Sequence, residues 1–137
     1  MFFNKDKKKS EINYLVKICA LLIHVAKIDE DYTKIEEEII RKTLLKLDCS
    51  EKELSKTIEK AKIMEENSNQ ILDFTREVKN LPEENKIKII EALWNIIYSN
   101  KDADIYETNL MRRIAGLLYI DSKTMGSIKE KIKAKNS

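Results

Sequence analysis

The chain has 137 residues, enough for one domain that buries roughly two-thirds of its unfolded surface without staples. Its 26 Lys and Arg nearly cancel 24 Asp and Glu, and a net charge of +2 removes any global electrostatic reason to bind nucleic acid or an anionic membrane. Two Gly and one Pro leave little of the chemistry that tight hairpins need, so a composition rich in Lys, Glu, Ile and Leu reads as helical.

Residues 1–9 read as a basic, disordered lead-in in which Lys5 and Lys7 to Lys9 follow Phe2 and Phe3. That charge order is wrong for a secretory signal. Ser10-Glu11 opens a first helix that reaches about Ile28. Ile12, Leu15, Val16, Cys19, Leu22, Ile23 and Ala26 recur at three and four and form one broad apolar face. Lys17, His24 and Lys27 interrupt this run, which is too short and too polar to span a bilayer, and the expected address is the cytoplasm.

An acidic turn follows, Asp29-Glu30-Asp31-Tyr32-Thr33-Lys34-Ile35-Glu36. A second helix runs from about Lys34 to Leu47, with Ile35, Ile39, Leu44 and Leu47 inward. Ser50-Glu51-Lys52-Glu53 has the form of a capping box and opens a third helix that ends near Glu66. After the turn Asn67-Ser68-Asn69, a short fourth helix carries Ile71, Leu72, Phe74 and Val78. Pro82 suits the first turn of a fifth helix, which reaches about Tyr98 and buries Ile89, Ile90, Leu93, Trp94 and Ile97. A second acidic turn, Asn100-Lys101-Asp102-Ala103-Asp104-Ile105-Tyr106-Glu107, precedes a sixth helix that packs Leu110, Met111, Ile114, Leu117 and Leu118. Asp121-Ser122 begins a seventh with Met125, Ile128 and Ile132 inward. Seven helices joined by short turns predict one all-α bundle over residues 10–135, with two pseudo-symmetric helix–acidic turn–helix halves and the third and fourth helices between them.

Laid over each other, the two turns match Asp31 with Asp102, Thr33 with Asp104 and Glu36 with Glu107. Oxygen ligands at alternate positions suit a hard divalent cation such as calcium. Neither turn has the glycine and the terminal glutamate of an EF-hand loop: from Asp29 those positions are Lys34 and Ile40, and from Asn100 they are Ile105 and Met111. The competing reading is structural, because Thr33 with Glu36 and Asp104 with Glu107 are both capping-box pairs. Cys19 and Cys49 lack a CxxC or a local His motif and read as reduced core residues, and the lone His24 reads as structural. Trp94 and Phe74 read as core anchors. There is no Gly-rich phosphate loop, nucleophile elbow or His cluster, so no enzyme is expected.

The string Ile71-Leu72-Asp73-Phe74-Thr75-Arg76, then Glu91-Ala92-Leu93-Trp94, then Glu107 through Leu110-Met111-Arg112-Arg113-Ile114-Ala115-Gly116-Leu117-Leu118, resembles the TerB-like family over roughly residues 12 to 133. That family includes the tellurite-resistance protein TerB and the N-terminal domain of the membrane-anchored co-chaperone DjlA. The chain is most similar to its small stand-alone bacterial members. The resemblance implies two pseudo-symmetric helical halves and an acidic, metal-binding surface at the two turns. Carried over, the positions are Asp29, Asp31, Thr33 and Glu36, then Asn100, Asp102, Asp104 and Glu107. Glu30 and Lys101 stand where the family's turns usually have Gly, and Lys101 sets a positive charge beside the second turn. The expectation is a non-enzymatic, stress-associated module that binds a protein partner through these acids. Its alternative is a divalent-metal-binding member of the tellurite-resistance type. A weak membrane-surface contact through Phe2, Phe3 and the N-terminal lysines is the remaining expectation.

Overall fold

The computed structural model describes residues 2–29, 33–76, 78–99 and 103–136, with side chains from Tyr14 onward apart from that of Asp29. The helices are α1 (Phe2–Ala26), α2 (Lys34–Lys46), α3 (Glu51–Glu66), α4 (Leu72–Thr75), α5 (Glu83–Tyr98), α6 (Ile105–Leu117) and α7 (Ser122–Lys135). Short 3-10 turns occupy Lys27–Asp29 and Val78–Asn80, and no strand occurs among the described residues. The architecture is the all-α bundle expected.

α1 starts at Phe2, eight residues before the expected Ser10, so the backbone of the basic stretch is helical. Neither Gly nor Pro interrupts residues 2–26, and Lys propagates a helix well. The apolar surface of α1 is also wider than one face. Every residue from Ile18 to Ile23 is buried, as are Val16, Val25 and Ala26. α3, α5, α4 and α2 pack around it, which is the environment a helix apolar on all sides requires. α5 is the second such axis, with Ile89, Ile90, Ala92, Leu93, Trp94, Ile96 and Ile97 buried against α7, α1 and α2. Phe74 is buried beside α1 in the same core.

Several local expectations shift. The expected fourth helix divides into α4 and the 3-10 turn at Val78–Asn80. Pro82 takes the N-cap of α5, its carbonyl accepting from the N–H groups of Asn85 and Lys86 at 3.0 and 3.2 Å. At Ser50 the forward bond forms, Glu53 N–H donating to Oγ at 3.3 Å, and the box is not closed by a return bond from Glu53 among the described residues. In α2 the inward stripe is Glu36, Ile40, Thr43 and Leu44, which turns Ile35 outward. Leu110 and Leu117 are half-buried beside the core.

The chain traverses one plan twice, at a constant spacing of 71 positions from Thr33 to Asp104. In α2 the buried residues are Glu36, Ile40, Thr43 and Leu44, and in α6 they are Glu107, Met111, Ile114 and Ala115. Both helices have 13 residues and end alike. Asp48 and Tyr119 adopt positive φ of 70° and 59°. The next N–H, that of Cys49 or Ile120, donates back to Leu44 or Ala115, completing a Schellman motif. Ser50 and Asp121 then cap the following helix. α1 packs most extensively on α3 and α5 on α7. A polar bridge recurs at equivalent positions in these pairs: His24 Nδ1 to Glu65 Oε1 at 3.3 Å, and Asn136 Nδ2 to Asn95 Oδ1 at 3.2 Å. The recurring unit therefore includes α3 and α7, and is longer than the helix–turn–helix read from the sequence.

Asp48 sits in a left-handed conformation that disfavours any side chain with a Cβ. Asp48→Gly is expected to raise stability by about 1 kcal/mol, read as a higher urea midpoint. Tyr119→Gly should gain less, because the Tyr119 ring lies 5.9 and 5.8 Å from the Lys79 and Lys86 ammonium groups and those contacts are lost with it.

Candidate interaction site at the two helix starts

The residues at the two acidic turns are separated by the geometry of helix initiation. Thr33 has extended backbone, and its Oγ1 accepts from Glu36 N–H at 3.1 Å while Glu36 Oε1 accepts from Thr33 N–H at 2.9 Å. Asp104 repeats this: Oδ1 accepts from Glu107 N–H at 2.8 Å, and Glu107 Oε1 accepts from Asp104 N–H at 3.3 Å. Both boxes thus satisfy N–H groups that have no partner inside the helix.

Closing the boxes carries the glutamates inward. Glu36 is 2% exposed and Glu107 1%. Each occupies N3 at the head of its helix's buried stripe, so the cap and the core claim the same side chain. They are accordingly withdrawn from the exposed acidic surface expected from the sequence; Asp104 remains exposed, and the uncharged Thr33 is half-buried. Asp31, Asn100 and Asp102 lie outside the described residues, as do Glu30 and Lys101, and the Asp29 side chain is likewise not described. Among the described residues no group of His, Cys, Asp and Glu could hold a metal ion.

Each helix start also shows apolar side chains to solvent, which sequence reasoning missed. Ile35 is 58% exposed, Ile105 80% and Tyr106 63%. Ile35 and Tyr106 occupy the same position, two residues after the N-cap. With Glu36 and Glu107 turned inward at N3, N2 lies about 100° and N1 about 200° round the helix, which takes Ile35, Ile105 and Tyr106 off the core-facing stripe.

The other candidates take structural roles. The His24 ring meets Glu65, which also receives a 2.8 Å bond from Lys27, and it tilts against Phe74. Cys19 and Cys49 are free and buried. Burial first, and the neighbouring Cys49 second, push the Cys19 thiol up from 9.0 to about 12. A neutral, enclosed thiol has none of the thiolate character that a nucleophile needs.

These features define a class of protein: an all-α bundle with two helices, each begun by a capping box whose glutamate is buried. The chain belongs to the family described as tellurite resistance protein TerB, which it matches over residues 15–130. No curated protein and no solved structure matches it.

Glu36→Ala and Glu107→Ala should each cost about 1–2 kcal/mol, because the box opens and a partly buried N–H group loses its partner. Glu→Gln at either site should cost under about 1 kcal/mol, since an amide oxygen also closes the box. Chemical denaturation of the four variants checks both. The raised Cys19 thiol stabilises the fold fully below its ordinary value, and this contribution is lost as pH rises toward the folded value. Between about pH 9 and 11, wild type should therefore lose up to about 1.4 kcal/mol per pH unit more than Cys19→Ala. Urea titrations of the pair across that range measure the difference.

Proposed function

We propose that this chain is a non-enzymatic protein-interaction module that docks partners on its helix starts, chiefly that of α6. The observation that carries this reading is the exposure of Ile105 and Tyr106 directly after the Asp104 cap, with Ile35 repeating it on α2. Apolar groups on a rigid helix turn lose little entropy on binding, and a Tyr beside an aliphatic residue is a frequent anchor of interfaces. Exposed Asp104 supplies negative charge beside them, as does Glu38 on α2. Such charge steers a basic, amphipathic partner segment and sets its register. The family's description concerns tellurite resistance, and a shared fold does not by itself carry that activity to this chain.

Titration with a basic amphipathic helical peptide tests the proposal. Amide shifts should centre on residues 104–107 and 34–36, and Ile105→Ser/Tyr106→Ser should weaken binding about tenfold or more without unfolding the bundle. Equal binding by that variant would remove the reading. The divalent-metal alternative makes a different prediction: saturable calcium-dependent shifts at both turns that disappear in Glu36→Gln/Glu107→Gln.

A further inference from the structure

Both glycines of the chain, Gly116 in α6 and Gly126 in α7, line a single groove of about 350 Å³. Each lies within a helix, where glycine is destabilising relative to alanine. A Cβ at either position would meet nothing within 4 Å, so packing does not demand them. At the equivalent places in the first half stand Leu45 and Ser55. The groove reaches down to Trp94 and Met125, locked together by a 3.2 Å contact from indole Nε1–H to Sδ. Arg112 and Lys129 also line it, and no carboxylate does among the described residues. The Lys129 ammonium sits 5.4 Å from the Trp94 ring, and no ion pair to either cation occurs among the described residues. The first half keeps an arginine, Arg41, where Arg112 stands, but has buried Ile58 in place of Lys129. The paired cations are therefore a property of the second half alone.

We propose that this groove binds a small carboxylate with a short apolar body. The body lies over the two glycines against Trp94 and Met125, and the carboxylate is held between Arg112 and Lys129. Two cations without a lining anion select negative charge, and a guanidinium presents a fork that matches a carboxylate. The volume lies at the lower end of the range for small-molecule sites, about 300–1,000 Å³.

Trp94 is the sole tryptophan, so its fluorescence reports the groove directly. Octanoate should produce a saturable change with a Kd on the order of 0.1–1 mM, while octylammonium should produce none. Arg112→Gln and Lys129→Gln should each weaken octanoate about tenfold. Gly116→Leu, which installs the first half's residue, should abolish binding while circular dichroism and melting stay those of a folded bundle. Should that variant misfold, Gly126→Ser carries the same test with a smaller side chain. An absent or non-saturable octanoate response overturns the proposal. So does octanol binding as tightly as octanoate, or unchanged affinity in the folded glycine variant.

Discussion

The bundle depends on two helices whose apolar surface is wider than a single face. Residues Ile18–Ile23 of α1 are buried without a break, and α5 is nearly as enclosed. A helix of that kind is stable only inside a ring of others. α3 returns over α1 and α7 over α5, and α2 packs against both axes. Covering these two helices is the apolar burial that the fold is built around.

The capping boxes serve the starts of α2 and α6. A helix start has N–H groups with no partner inside the helix. Glu36 and Glu107 each accept one at the cap from the buried side, as the first member of their helix's buried stripe. At the other end the Schellman motifs at Asp48 and Tyr119 satisfy the carbonyls and set Cys49 and Ile120 into the core. Lys86 adds a 2.9 Å bond to the Leu118 carbonyl, tying the end of α6 to the start of α5. The repeated pairs Thr33–Glu36 and Asp104–Glu107 are thus one solution to helix initiation used twice.

Where the halves agree, the reason is architectural; where they differ, the exchanges are of two kinds. His24–Glu65 becomes Asn95–Asn136, one bridge replaced by another of the same reach. Leu45 and Ser55 become Gly116 and Gly126, which is no such exchange, because side chains are removed and a groove over Trp94 results. The first turns diverge as well: Lys34-Ile35 in α2 becomes Ile105-Tyr106 in α6, exposing more apolar surface at the second start.

Residue spacing alone was enough to determine the all-α class, the order of the helices, the buried Trp94 and Phe74 and the two capping pairs, because helical period and N-cap chemistry are local properties. It placed Ile35 inward and Glu36 on the surface, and the fold reverses both. Which face of a helix turns inward depends on the neighbours that cover it, and a carboxylate can be buried once its own N-cap N–H receives it. Burial of α1 beyond one face was equally beyond local reading, since the three-and-four spacing from Ile12 to Ala26 gives a single broad apolar face; Lys17 and His24 are half-buried. The groove at Gly116 and Gly126 belongs to tertiary structure entirely. Two glycines ten residues apart become one site only when α6 and α7 are laid side by side over Trp94.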